Sequence, residues 1–380
     1  MTILTLNRKE LESHIGKITK EVEEKITMFG TPIEKITETE FSVEVFPNRP
    51  DLLSMHGFVR SISEFMDKKI KLTDYKTKKP QKDYKVTIEK SVKKVRPYTV
   101  CAIVKNLKLD NQKIIEIIDI QEKLHGSYGR DRKKLAIGIY PLEKIKLPIK
   151  FLAKRPEDIK FIPLGISRPL TGRQILSQHP SGREYGNLLK DAEAFPIFED
   201  ANKEILSLPP IINSEKTGKI TEDTKDIFIE CSGFDFEYLM KTLNMITCTM
   251  INMGAEVYEM EIINEGEKKK YQTPDLTPEK MKFSAGNLNK ILGLDLNKKE
   301  LKGYFGKMGI IFKDNHVLIP PYRTDILHEI DLAEEIAISY GYDNFTSQIP
   351  DISTIVEEDK TSIMKKKISE ILIGLGMLEI

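Results

Sequence analysis

Cysteine is scarce: Cys101, Cys231 and Cys248 are the only three, they lie far apart, and none belongs to a CxxC pair. That spacing excludes a disulfide framework and a thiolate zinc site, and it suits a reducing cytosol. Long apolar runs are missing too. No stretch approaches the roughly 20 residues needed to span a bilayer, and the N-terminus MTILTLNRKELESHIGK acquires charge too early for a signal peptide. A cytoplasmic protein without a membrane segment is expected. Neither sign of charge is in excess. Lys plus Arg number 59 against 58 Asp plus Glu, a formal net charge of +1, so any RNA contact must come from local patches. The common catalytic signatures are also absent. KTGKI, Lys216 to Ile220, lacks the first glycine and the Ser or Thr of a Walker loop, no GxGxxG follows a strand, and neither HExxH nor GxSxG occurs. His14-Ile15-Gly16 carries Lys17 where a class I synthetase signature needs histidine.

What is present is a 380-residue chain, 31% charged with both signs interspersed, as expected of solvated helix faces on two to four compact units. Its pattern changes along its length. Residues 1–82 carry an amphipathic start from Leu6 to Ile26, a strand from Phe41 to Phe46, and a helix through Leu52, Phe58, Ile62 and Phe65 for which Asn48 can cap and Pro50 suits the first turn. Lysine-rich KLTDYKTKKPQKDYK reads as a linker. Residues 83–270 hold short β-rich runs at Tyr98 to Lys105, Lys134 to Tyr140, Phe195 to Phe198, Ile205 to Ile212 and Asp226 to Glu230. Helices are expected among them from Lys113 to His125 and from Glu237 to Met253. Methionines 240, 245, 250 and 253 in the second suit adaptable core packing.

Residues 271–346 predict a helix begun by Ser284, a second capped by the Asn297/Glu300 box and ended by Gly309, a hairpin turning at Asp314 and Asn315, and a last helix from Asp331 to Tyr340. Helix, helix, hairpin, helix is compatible with a winged-helix-like arrangement. Residues 347–380 begin a further helix. The fold class is α+β, multidomain, with a central mixed α/β domain followed by a winged-helix-like helical domain.

Two clusters carry candidate chemistry. In YRTDILHEIDLAEEIAISYGY, Asp331, Glu334 and Glu335 stand at i, i+3 and i+4 on one helix face, with Asp325 just before. Four oxygen donors suit Mg²⁺, and the same acids equally complement a helix N-terminal dipole. In EILSLPPIINSEKTGKITEDTKDIFIECSGFDF, Ser207 sits in one strand run, while Glu230 and Ser232 share one face of another. A carboxylate and two hydroxyls in an apolar cleft could bind the hydroxyl of a small aromatic group, and an edge strand with satisfied polar groups explains them as well.

FPNRPDLLSMHGFVR, VRPYTVCAIV, QEKLHG, AKRPEDIKFIPLG, GREYG, LSLPPIINSEKTGKIT, DTKDIFIECSG and IPPYRTDILHEIDLAEEIAISYGYDN resemble, in order and approximate spacing, archaeal and eukaryotic phenylalanine–tRNA ligase beta subunits. The resemblance implies an α2β2 ligase whose alpha subunit binds ATP and phenylalanine, while beta contributes structure, tRNA(Phe) contacts and editing of mischarged Tyr-tRNA(Phe). It places the editing pocket at Phe198, Ser207, Glu230 and Ser232. Archaeal members have Asp and Thr at the last two positions, exchanges that keep the chemistry and alter the geometry. It places Mg²⁺ ligands at Asp325, Asp331, Glu334 and Glu335, at a site shared with alpha, and makes residues 347–380 the start of a catalytic-like module that continues past Ile380. An apolar pocket rejects an added hydroxyl only about a hundredfold, so a second sieve that prefers it is the expected remedy. A non-catalytic tRNA-binding scaffold and a free-standing aminoacyl-tRNA hydrolase remain alternatives. The basic stretch Gly129 to Lys134 suits tRNA phosphates or a plain exposed turn.

Overall fold

Alternating apolar residues near the N-terminus make strands before they make helices. The structure, a computed structural model, describes residues 2–67, 74–347, 349 and 357–380. Thr2–Asn7, Ile33–Ile36 and Glu40–Val45 form a small antiparallel sheet with Glu40–Val45 in the middle. Leu4, Leu6, Phe41 and Val43 bury one face in the same apolar cluster as Leu11 and Ile26 from helices Arg8–Ile15 and Lys20–Met28 and Phe58 and Ile62 from helix Met55–Phe65. The amphipathic start expected from Leu6 therefore begins one element later, with Asn7 as its cap. Asn48 and Pro50 do not open the third helix. Pro50–Leu52 is a single 3-10 turn in which Asp51 is drawn inward by Arg49 and Arg60, and Ser54 caps the helix by accepting from the Gly57 N–H.

Part of the expected linker, 71–73, lies outside the described residues. Its remainder is tied down: the Tyr75 hydroxyl donates to Asn252, and Thr77–Lys78 pairs in parallel with Glu256–Asn264. That strand lies inside an eleven-stranded sheet of the described residues, and sequence patterning missed it because Glu256, Glu259 and Glu261 interrupt its apolar residues. Lys78, Lys79 and Lys85 pair with those three acids. The sheet order runs Ile212–Asn213, Ile205–Leu208, Phe195–Glu199, Ile149–Lys154, Lys85–Ile88, Glu256–Asn264, Tyr98–Lys105, Ile227–Gly233, Leu135–Pro141.

Alternation sorts the two faces of this sheet. Ile227, Ile229 and Cys231 pack with Leu239, Leu243, Ile246 and Met250 of helix Phe236–Asn252, whereas Phe228 joins Cys101, Tyr140, Phe151, Phe198 and Leu206 in a second cluster. The sheet curls enough that its two ends meet. Tyr140, from one terminal strand, reaches Ser207 and Asn213 near the other.

Residues 279–342 follow the capping signals closely. Ser284 caps helix Ala285–Leu292, Asn297 and Glu300 form the box that starts Lys298–Lys307, and Gly341 ends Glu329–Tyr340. Ile311–Lys313 and His316–Ile319 form the expected hairpin, and Glu279–Lys282, too charged to read as a strand, pairs with it. One apolar cluster runs through all three segments, including Leu11, Ile246, Phe305 and Ile336. Residues from Asp343 onward form a separate compact unit. In it helix Lys360–Gly374 is capped by Asp359 and leaves Met364 and Ile371 exposed; the residues expected to begin this helix, 353–356, lie outside the described ones.

Candidate functional site

Ile227–Gly233 is paired on both sides, to Tyr98–Lys105 and to Leu135–Pro141, so its register and therefore its faces are fixed. Phe228, Glu230 and Ser232 point to the inside of the curl. Glu230 lies opposite Gly138, where a Cβ would collide with both the Tyr140 hydroxyl and the Glu230 carboxylate. Glycine is required there for that reason. The Tyr140 hydroxyl lies 2.7 Å from Ser207 Oγ and 3.3 Å from both Glu230 Oε1 and Asn213 Oδ1. One phenolic proton serves one acceptor at a time, so the cluster is rich in acceptors, and Glu230 Oε2 is buried with no hydrogen-bond partner.

Ser207 and Glu230 open onto a cavity of about 110 Å³, together with Asn213, His125, Gln121 and the segment Pro209 to Ile212. Its walls are held by hydrogen bonds. Arg132 Nη1 donates to the Pro210 and Ile211 carbonyls at 3.2 and 3.0 Å, and its Nη2 donates to Glu122. The Ile137 N–H donates to His125 Nε2 at 2.8 Å, so the ring proton sits on Nδ1, facing Glu122 at 3.3 Å. Burial lowers the His125 pKa and favours the neutral ring.

Burial also dominates the carboxyl. Glu230 is pushed up to about 8 by desolvation, against the downward pull of Arg96 and of the Tyr140 and Ser232 hydroxyls. At neutral pH it is therefore largely a neutral acid, able both to donate and to accept. Arg96, buried beside it, is lowered to about 10 by the same desolvation.

Two of the four expected pocket residues line the cavity and two stand behind it. Phe198 is fully buried, lies opposite Ser207 across the strand pair, and stacks on Phe151 with ring centroids 4.4 Å apart. Ser232 is also fully buried; its Oγ accepts from Arg96 Nε at 3.1 Å and its carbonyl from Nη2 at 2.6 Å. Strand alternation placed Ser232 on the right face, but Arg96 already occupies it. Sequence reasoning missed Tyr140, Gly138, Arg96, Asn213 and His125, because only the curl of the sheet brings them to Glu230.

The four acids expected to share Mg²⁺ do not converge. Arg323, fully buried, donates to Asp325 through Nε and Nη2 at 2.8 and 2.7 Å and to Glu335 through Nη1 at 2.9 Å. Asp331 accepts the Leu327 and His328 N–H groups as part of a capping box, both at 2.7 Å, and Glu334 is exposed. Among the described residues, no group of three or more His, Cys, Asp or Glu side chains is placed to hold a metal ion. As arranged, these residues do not fit a bound divalent cation: a guanidinium neutralises two of the carboxylates and a helix end uses the third.

Family models match two stretches, one described as the B3/4 domain over residues 81–249 and one as the tRNA synthetase B5 domain over residues 281–342. The chain is 35% identical over its whole length to the phenylalanine–tRNA ligase beta subunit of Archaeoglobus fulgidus, covering 69% of that protein. It is 36% identical, again over its whole length and 69% of the relative, to that of Methanococcus maripaludis. A crystal structure of an N-terminal fragment of the phenylalanyl-tRNA synthetase beta subunit from Pyrococcus horikoshii superposes with a TM-score of 0.84 at 33% identity, covering 89% of this chain and 99% of the fragment. By whole-length identity and by shared fold, this chain belongs to the phenylalanine–tRNA ligase beta subunit family.

Proposed function

We propose that the chain is the tRNA-binding and proofreading subunit of a cytoplasmic phenylalanine–tRNA ligase, hydrolysing Tyr-tRNA(Phe) in the cavity between Ser207 and Glu230. Charging of tRNA(Phe), with its ATP and Mg²⁺, belongs to the alpha subunit of an α2β2 assembly. The observation that carries the reading is the buried, unpartnered Oε2 of Glu230 in a cleft of polar groups. A tyrosyl hydroxyl completes its hydrogen bonding, whereas a phenyl ring leaves it orphaned at a cost of roughly 1–3 kcal/mol. That is about a 5- to 150-fold preference for tyrosine. The aminoacyl ester is already activated, so a positioned water and the terminal ribose hydroxyl suffice without a protein nucleophile.

The test is deacylation of Tyr-tRNA(Phe) and Phe-tRNA(Phe) by the full chain, alone and with alpha, comparing wild type with Glu230→Ala and the shape-keeping Glu230→Met. Loss of the tyrosine preference in both variants supports the assignment; unchanged preference in both refutes it. Wild-type inactivity in both settings would leave a tRNA-binding scaffold, and full activity in a chain that never co-purifies with alpha would make it a free-standing hydrolase.

A further inference from the structure

A second cavity, of about 300 Å³, lies near the end of the same strand and has no part in the chemistry above. Phe234 directly follows Ile227–Gly233, at a bend four residues beyond Glu230. The residue is 53% exposed, unusual for phenylalanine next to a buried strand, and the buried guanidinium of Arg96 stands 5.5 Å from the ring centroid. The neighbouring aromatic rings are locked. The hydroxyls of Tyr98 and Tyr271 both donate to Glu267 at 2.7 Å, and Phe236 packs against both rings. Lys93 lines the cavity together with Glu89 and with Glu267, whose carboxylate is taken up by the two tyrosine hydroxyls, and Lys94, Lys268 and Lys269 are exposed next to lining residues in the chain.

An exposed ring backed by a cation, rigid aromatic neighbours and Lys93 in the lining are what a single-stranded nucleotide needs: a stacking surface for the base and positive charge for the phosphate. We propose that this cavity holds a base of the single-stranded 3′ end of tRNA that precedes the terminal nucleotide, while the terminal aminoacyl-nucleotide lies at Glu230. The placement of the terminal nucleotide rests on the proofreading reading. The stacking site itself does not.

The probe is a short single-stranded RNA ending in CCA, with 2-aminopurine substituted in turn at each of the positions before the last. Wild type should quench one of these strongly through stacking; Phe234→Ala should abolish that quench and Phe234→Tyr keep it. In deacylation of Tyr-tRNA(Phe), Phe234→Ala should raise KM roughly 5- to 150-fold while kcat holds. The rise should disappear with 3′-tyrosyl-adenosine, which has no preceding base. Quenching that persists in Phe234→Ala, or an equal KM rise with the minimal substrate, overturns the proposal. A chain that hydrolyses neither ester defeats the proofreading reading alone, since the quench is scored without turnover.

Discussion

The molecule buries carboxylates in two places and treats them in opposite ways. Around Arg323, three buried acids are matched: Arg323 holds Asp325 and Glu335, and nearby Asp51 takes two bonds from Arg49 and one from Arg60, while Glu64 beside them is pushed up to about 7 by burial. In the central curl, Glu230 has one hydrogen bond, at 3.3 Å, and an oxygen without one, and burial outweighs Arg96 and the Tyr140 and Ser232 hydroxyls to push its pKa up to about 8. Acid density points to the first place. The proposed chemistry is assigned to the second, because a ligand gains most where the protein has left a buried polar group unfinished.

The harshest way to test this contrast is Arg323→Ala. Removing one partner of a buried ion cluster strands the others, and about 3–5 kcal/mol of stability should be lost in urea or thermal unfolding of the full chain. Mg²⁺ added to wild type, or a chelator, should leave its Tm unchanged. A clear rise in Tm with Mg²⁺, or near-neutrality of the variant, would turn the closed network back into a cation site.

The next effect is steric. Gly138→Ala inserts a methyl group between Tyr140 and Glu230, and overpacking of this kind costs roughly 1–3 kcal/mol. Deacylation of Tyr-tRNA(Phe) should fall with it, while Arg323→Ala chains that remain folded keep the tyrosine preference. If Gly138→Ala hydrolyses normally, the Tyr140–Glu230 approach is not part of the site.

Much of what local spacing encodes was legible in the sequence, the Asn48 and Pro50 start of the third helix, displaced to Ser54, being the exception. Tyr98–Lys105 was bounded as read, and the Ser284 and Asn297 caps fell where expected, because capping and alternation involve neighbours a few residues apart. Glu256–Asn264 was lost since its acids are balanced by lysines remote in sequence. The site was half legible for the same reason. Period-2 alternation put Glu230 and Ser232 on one face, but it could not show that Arg96, 136 residues away, fills the space over Ser232, or that Tyr140 crosses to Ser207. Likewise, i, i+3, i+4 spacing aligned three acids without revealing that Arg323 was waiting for one of them.

A third test uses pH. The folded protein raises the Glu230 pKa from 4.5 to about 8, so between those values the native state holds a proton that the unfolded chain has lost, and stability falls as pH rises through that window. Glu230→Gln removes the titration. Its stability relative to wild type should climb by roughly 3–4 kcal/mol from pH 5 to pH 8, in chemical denaturation at each pH. A flat difference would mean that Glu230 is ionised in the fold and better solvated than its burial implies.

The smallest expected effect separates lining from backing. Ser232→Ala removes the acceptor of Arg96 Nε yet leaves the Ser232 carbonyl bonded to Nη2, so the loss should be about 0.5–1.5 kcal/mol of stability. The tyrosine preference should shift less than in Ser207→Ala, which strips a hydroxyl from the cavity wall and a partner from Tyr140. A larger shift from Ser232 would mean that Arg96 transmits the position of Ser232 to Glu230. The unfinished carboxyl would then belong to a buried charged network after all, differing from the Arg323 cluster in degree rather than in kind.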